Sequence, residues 1–431
     1  MRSLLLFGLA AVLLGALAPA CPAHTLLHVG TLIDGVSDTP RSKATIVVDG
    51  ERITAIADGF TAPAAGDTVI NLENETVTPG WIDCHVHLDD ETTAHSLADL
   101  VQMNAPDYAY LAVANARKTL MGGFTTVRNV GDHYNSTIAL RNAIRKGLVI
   151  GPRVFSAGAP IGTTGGHADD TDGLSKEIME KLPQDSVING PDEARRAVRQ
   201  HYKDGADLIK IMTSAGVLSM ETSADNAQMD MDEIVAVVTT AHEYGLKVAV
   251  HAHGAEAIRR AVVGGVDSIE HGTYMSDEDI TLMKQHGTYY VPTLTAGMWT
   301  LEKSKIPGFF PEIIRVKAAV VGLQMIATFH KAYLAGVKIA FGTDTGVSEH
   351  GENAQEFQYM VQGGMPPMKA IQAGTREAAT LIGCLKDAGT IEAGKYADFT
   401  GVPGDLLSDI SLVRKVAFVM KGGVVYKAAP Q

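Results

Sequence analysis

Three cysteines, two tryptophans and an aromatic share of 6% are little for a chain of 431 residues. Cys21 falls in the N-terminal leader described below, so Cys84 and Cys384 alone serve the rest, which excludes a disulfide framework. Basic residues are also short: 36 Lys and Arg face 49 Asp and Glu, for a net charge of −13. With no basic cluster, this balance speaks against nucleic-acid binding. Beyond the leader no uninterrupted apolar run reaches about 18 residues, so no membrane span is expected. The 44 glycines lack a G-X-Y period, which excludes a collagen-like chain and points to many tight loops. What is present is apolar: a hydrophobic share of 46% rules out an acidic disordered protein and suffices for a large core.

Residues 1–23 read as a cleaved secretory leader. Arg2 supplies the positive start, Leu4 to Leu17 an apolar stretch, and Ala18-Pro19-Ala20 a small-residue cleavage site. About 14 apolar residues are short for a bilayer. Export to the periplasm or the medium is therefore expected. Cys21, directly after Ala20, offers lipid anchoring as the alternative, although Ala18 stands where such signals usually carry Leu.

The mature chain divides by pattern. Thr45-Ile46-Val47-Val48 runs into Asp49-Gly50, a hairpin-turn dipeptide, and Arg52–Ile56 alternates behind it. Val416–Met420, Lys421-Gly422-Gly423 and Val424–Tyr426 repeat the strand-turn-strand pattern at the far end. These flanks, residues 24–76 and 392–431, predict one small β-sandwich domain built from both termini. Between them, residues 77–391 alternate short apolar strands with helical patterns; in 231–244 Ile234, Val237, Val238 and Ala241 keep helical spacing, and Gly245 follows as a cap. Some eight such alternations predict an α/β fold, a (β/α)8 TIM-like barrel. The acidic stretch 170–200 has no clear pattern.

A barrel of this kind carries its chemistry at the C-terminal ends of its strands. His85 and His87 end the strand beginning at Trp81, and His251 and His253 end Lys247–Val250. Residues i and i+2 of a strand share a side, so each pair points into the barrel mouth. His271 and Asp344 end two further strands, and Lys210 lies inside the apolar strand Leu208–Met212. Imidazole and carboxylate are ligands preferred by Zn²⁺ and similar ions. A buried lysine is costly as a cation and tends to become a neutral nucleophile. One strand-end histidine is ordinarily a hydrogen-bonded structural residue, and one H-x-H is a weak motif. The combination of H-x-H, Lys, His, His and Asp on separate strands carries the weight.

These residues resemble the amidohydrolase superfamily, in particular its binuclear members with a lysine on the fourth strand. Thr163-Thr164-Gly165-Gly166-His167, Lys210-Ile211-Met212 leading into Ala215–Ser219, Gly342-Thr343-Asp344-Thr345 and Gly389–Phe399 extend the likeness over nearly the whole mature chain. The subgroup it resembles holds Xaa-Pro and Xaa-Lys/Arg dipeptidases, carboxypeptidases and ochratoxin-degrading amidohydrolases. The resemblance implies two divalent ions, foremost Zn²⁺. His85, His87 and Asp344 would hold one, His251 and His271 the other, with Lys210, carboxylated by CO₂, bridging them. It also implies hydrolysis of the amide bond to a C-terminal amino acid of a dipeptide or N-acyl amino acid by a metal-bridging hydroxide. Asp344 would take the proton, and His253 would polarise the carbonyl or touch substrate.

His167, Val217 and Leu88 are further candidate substrate contacts. His167 also reads as a loop-structuring residue, and Arg128 as either a carboxylate partner or the mate of a core acid. The acidic stretches Asp89–Glu91 and Asp169–Asp172 follow strand-end loops, where they could favour a basic substrate or form solvated faces. A lactonase, phosphoesterase or cyclic-amide hydrolase is the enzymatic alternative on the same residues, and a metal-free scaffold the non-enzymatic one. Barrels of this family are often oligomeric, so a homo-oligomer is expected. Phe399–Pro403 departs from the aliphatic strand common in relatives, leaving its register in the terminal domain open.

Overall fold

The computed structural model describes residues 23–180, 182 and 186–428. The leader, Ala23 apart, and Cys21 lie outside the described residues. Alternation in the first strands puts Leu27, Val29, Ile46 and Val48 on an apolar face. Gly50, at a φ of 54°, takes the left-handed turn that returns Arg41–Asp49 as Arg52–Asp58. Together the termini form one seven-stranded hydrogen-bonded sheet. Its order is Val424–Lys427, Phe418–Lys421, Phe399–Pro403, Thr68–Pro79, Thr25–Leu32, Arg41–Asp49 and Arg52–Asp58. Phe399–Pro403 pairs antiparallel with Thr68–Pro79, Phe399 opposite Pro79, and with Phe418–Lys421 on its other side. Its Phe399 joins Leu27, Val77, Phe418 and Met420 in a core distinct from that of the barrel.

Thr68–Pro79 passes through Gly80 into Trp81–Val86, the first strand of a (β/α)8 barrel. Trp81–Val86, Phe124–Asn129 and Arg153–Ser156 form one parallel sheet. Leu208–Met212, Lys247–Ala252, Ser268–His271 and Tyr289–Val291 form another. Single parallel bridges join the two: Ile161 to Ile211, Tyr290 to Ile339 and Thr345 to Val86. The segment 339–345 thus supplies the eighth position. All six residues of Trp81–Val86 and all five of Leu208–Met212 are buried, as expected of parallel strands covered by helices.

The stretch 170–200 holds a short helix, Lys176–Met179, the strand Val187–Ile188, which pairs with Gly162–Thr163 before it, and the start of the helix Pro191–Asp204. The helix Glu312–Leu334 is long and apolar enough, by length and composition, to cross a membrane. Here it packs Ile314, Val321, Met325 and Phe329 into the barrel core.

Candidate active site

The strand ends converge as alternation requires. The rings of His85 and His87 lie 5.4 Å apart, and those of His251 and His253 4.7 Å apart. His271 comes within 5.0 Å of both His85 and His253. Nε2 of His85 and Nε2 of His87 stand 3.3 and 3.2 Å from Oδ1 of Asp344. Lys210 is fully enclosed and faces the same cavity, whose volume is about 800 Å³.

Two of these positions break the regular backbone. His271 and Asp344 sit at φ of 67° and 59°, and Thr293, which holds His271, at 51°. Such values are uncommon for residues with a Cβ and persist where the surroundings over-determine them. In a regular strand Glu270 and His271 would point to opposite faces. The left-handed turn at His271 brings both to one end of the barrel.

Each ring is oriented from behind. Nδ1 of His85 meets Oε2 of Glu270 at 2.8 Å, and Nδ1 of His87 meets the carbonyl of Gly131 at 3.1 Å. Nε2 of His251 meets the carbonyl of Ala215 at 3.2 Å, and Nδ1 of His271 meets Oγ1 of Thr293 at 2.8 Å. A carbonyl or carboxylate only accepts, so the first three rings donate from those nitrogens and turn their other nitrogen to the cavity, where, against burial, Asp344 raises the His87 imidazole above its ordinary value. Nδ1 of His253 is paired with Oγ1 of Thr273 at 2.7 Å. Behind His85, Glu270 is held by Arg128 at 2.8 Å and Ser268 at 2.5 Å. Arg128 therefore mates with a core acid; each of its three nitrogens donates, to Glu270, Ser268 and the carbonyl of Cys84.

Charge follows from burial. Enclosure pulls His253 down to about 3 and His167 to about 4, and His251 and His271 well below the ordinary imidazole value, so all four rings are neutral at pH 7. Burial brings the Lys210 ammonium down to about 8. Burial pushes the Asp344 carboxyl up, but the His85 and His87 rings outweigh it and hold it well below the carboxylate range. Neutral imidazoles, an anionic carboxylate and a lysine close to neutrality are the forms in which these groups bind metal. His85, His271 and Asp344 each offer a ligand atom within 4.8 Å of the others. The donor set fits divalent cations.

Among the substrate candidates, Val217, His167 and His253 line the cavity. Leu88 is a correction: it is 0% exposed, packs in the barrel core and does not line the cavity. Its backbone N–H donates to Asn129 and its carbonyl accepts from Asn115, which fixes the turn after His87 and sends its side chain inward. Asp90, Asp169, Asp170 and Asp172 line the cavity with His133, while Asp89 is buried and accepts from the His133 amide and the Ser136 hydroxyl. Phe309, Phe310, Ile314, Val321 and Met325 supply an apolar lining. Glu270, Thr273 and Thr293 escape a reading of the sequence. The alternation of Ser268-Ile269-Glu270-His271, with a carboxylate in a buried strand, is the one signal that could have marked Glu270.

Comparison with known proteins agrees with this arrangement. The amidohydrolase family model matches residues 76–426. The chain is 31% identical to the ochratoxinase of Aspergillus niger over 429 residues, covering 94% of this chain and 86% of that protein. Among solved structures it superposes on a Xaa-Pro dipeptidase with methionine bound in the active site at a TM-score of 0.91 and 49% identity, covering 94% of this chain and all of the other. A prolidase complexed with N-methylphosphonate-L-proline matches at 0.84 and 30% identity, over 94% of this chain and all of the other. The chain is a hydrolase and belongs to the amidohydrolase family.

Proposed function

We propose that the chain is a binuclear metal-dependent amidohydrolase that releases a C-terminal amino acid from a dipeptide or N-acyl amino acid. The convergence of His85, His87, Lys210, His251, His271 and Asp344 from separate strands on one cavity carries this reading. His85, His87 and Asp344 would hold one cation, His251 and His271 a second, and Lys210 as a carbamate would serve both. Two such cations, foremost Zn²⁺, supply Lewis acidity that acidifies water near neutral pH and polarises a carbonyl. The neutral form of Lys210 that carbamylation needs is favoured by its burial.

The chain's own groups do the rest. Asp344, anionic and beside Nε2 of both His85 and His87, accepts the proton of the attacking water at its carboxylate and returns it to the departing amine. His253, neutral, acts through Nε2: when Nδ1 accepts the Thr273 hydroxyl hydrogen, Nε2–H faces the scissile carbonyl and stabilises the charge that develops on its oxygen. His167 and Val217 meet the C-terminal residue of the substrate. Nδ1 of His167 is buried with no partner among the described residues, and its neutral ring is a donor suited to a carboxylate. The support for a C-terminal amino acid lies in the relatives: a dipeptidase holding methionine and a prolidase holding a proline phosphonate.

The test is release of free amino acid from dipeptides and N-acyl amino acids, N-acyl-phenylalanine included, by protein supplied with Zn²⁺ and bicarbonate. Lys210→Ala is the control. Turnover that disappears in the control supports the reading, and the ranking of substrates names the preferred residue. No release by protein that binds two metals per chain would overturn it in favour of lactones or cyclic amides.

A further inference from the structure

Lys317 lies on the inward face of the helix Glu312–Leu334, 7% exposed, and its ammonium has a single task. Nζ donates at 2.8 Å to the carbonyl of Gly216, at 2.8 Å to that of Ser219 and at 2.8 Å to that of Glu221. An ammonium has three hydrogens, and all three are spent on one short loop. That loop follows the strand carrying Lys210. The base of the loop is closed by the antiparallel bridge of Ser214 with Ala227 and by the Ala215 amide on the Asn226 carbonyl, but among the described residues the amides from Gly216 to Ala224 make no backbone–backbone hydrogen bond. Its other ties are few: the Ser219 hydroxyl to the Gly216 carbonyl and Gln228 to the Glu221 carboxylate. Buried carbonyls must find donors, and here one side chain supplies them from an element some hundred positions away in sequence.

The loop shapes the substrate end of the cavity. Val217, Leu218, Ser219 and Met220 line it. The His167 ring lies directly on the backbone of Gly216: a Cβ there would fall 2.1 to 2.4 Å from three ring atoms. The preceding carbonyl, that of Ala215, accepts from His251. Lys317 therefore ties the surface under His167 to the helix whose Ile314 and Val321 line the same cavity.

We propose that Lys317 is a positioning residue that fixes the loop 215–221, and through Gly216 the His167 ring, at the place where the C-terminal residue of the substrate docks. The proposal rests on the function proposed above for what docks there. The ordering of the loop can be tested without it. Misplacement of a contact far from the reacting atoms costs binding and orientation, whereas the metal-side groups stay as they were.

The experiment compares wild type, Lys317→Met, Lys317→Arg and Gly216→Ala in kcat, KM, metal content and hydrogen exchange of the Ala215 and Gln228 amides, whose bonds to the Asn226 and Thr213 carbonyls close the base of the loop. For Lys317→Met, KM should rise by at least about 10-fold with kcat within about threefold and metal content unchanged. Exchange of these two amides should accelerate by about 10-fold or more, since opening the loop that they close would no longer break the three hydrogen bonds of Lys317. Lys317→Arg, which keeps donors, should recover part of both effects. Gly216→Ala should raise KM without accelerating exchange, because it displaces the ring and leaves the latch. Unchanged exchange in a folded Lys317→Met protein would overturn the proposal. So would a joint loss of kcat and metal, which would mark general structural damage. Should Lys317→Met not accumulate, Lys317→Gln, with one amide donor, carries the same comparison. If the wild type cleaves no dipeptide or N-acyl amino acid, the function proposed above falls, and the exchange comparison still decides the latch.

Discussion

Oε2 of Glu270 stands 2.8 Å from Nδ1 of His85, and this contact decides which nitrogen of the ring faces the cavity. Burial raises the same carboxyl, but Arg128 and His85 outweigh it, bring its value down to about 2 and keep it anionic. One buried acid thus sets a tautomer on one side and neutralises a guanidinium on the other.

Glu270→Gln should damage both functions. An amide nitrogen opposite Nδ1 favours the other tautomer of His85, and an amide oxygen there leaves an amide nitrogen against Arg128. Zn²⁺ affinity should fall by about 10- to 100-fold. Loss of the partner of a buried charge should lower stability by about 3–5 kcal/mol. Metal titration with a chelating indicator and denaturant unfolding would measure the two. An unchanged affinity would show that His85 needs no such orientation.

Burial brings the Lys210 ammonium down to about 8, towards the neutral amine that carbamylation requires. In bicarbonate with Zn²⁺, native mass spectrometry should find the wild type heavier by one CO₂ and Lys210→Ala not. Acid treatment should remove the added mass. An unmodified wild type with full metal content would show that the amine serves without carbamylation.

Asp344→Asn keeps the shape of the carboxylate and removes its basicity. kcat should fall by at least about 10²-fold while the circular dichroism spectrum and melting temperature stay close to wild type. Near-normal kcat in a folded variant would remove Asp344 from proton transfer.

Glu356 predicts a pH dependence of stability away from the metal-side residues. Burial raises its carboxyl to about 8, although it accepts from the amides of Leu294 and Thr295 and the Thr295 hydroxyl. A carboxyl raised on folding binds more protons in the native state. Its stabilisation is complete below the unfolded value, about 4.5, and is lost as pH rises through about 8. Relative to Glu356→Gln, which cannot titrate, the wild-type melting temperature should fall steadily between about pH 5 and 9. Parallel curves for the two proteins would refute this.

By itself, the sequence determined the alternation of strand and helix and the strand-end places of His85, His87, His251, His253, His271 and Asp344, and it led to a small β-sandwich from both ends where the structure has one seven-stranded sheet. These follow from periods of two and 3.6 and from the rule that a barrel's chemistry sits at strand ends, all of them local or fold-level regularities. Tertiary structure alone decided what stands behind those residues. Glu270 reaches His85 across 185 positions and Lys317 reaches Gly216 across 101, and no local pattern encodes such pairs. It resolved Arg128 in favour of a core acid and turned Leu88 inward, because the hydrogen bonds of its backbone to Asn129 and from Asn115 set the chain direction after His87. It also placed the φ of 67° at His271, which lets adjacent residues serve one site where strand alternation would have parted them. The residue types of the candidate site were legible because chemistry restricts them. Their orientation was not, because it is set by contacts between segments that meet only when the barrel assembles.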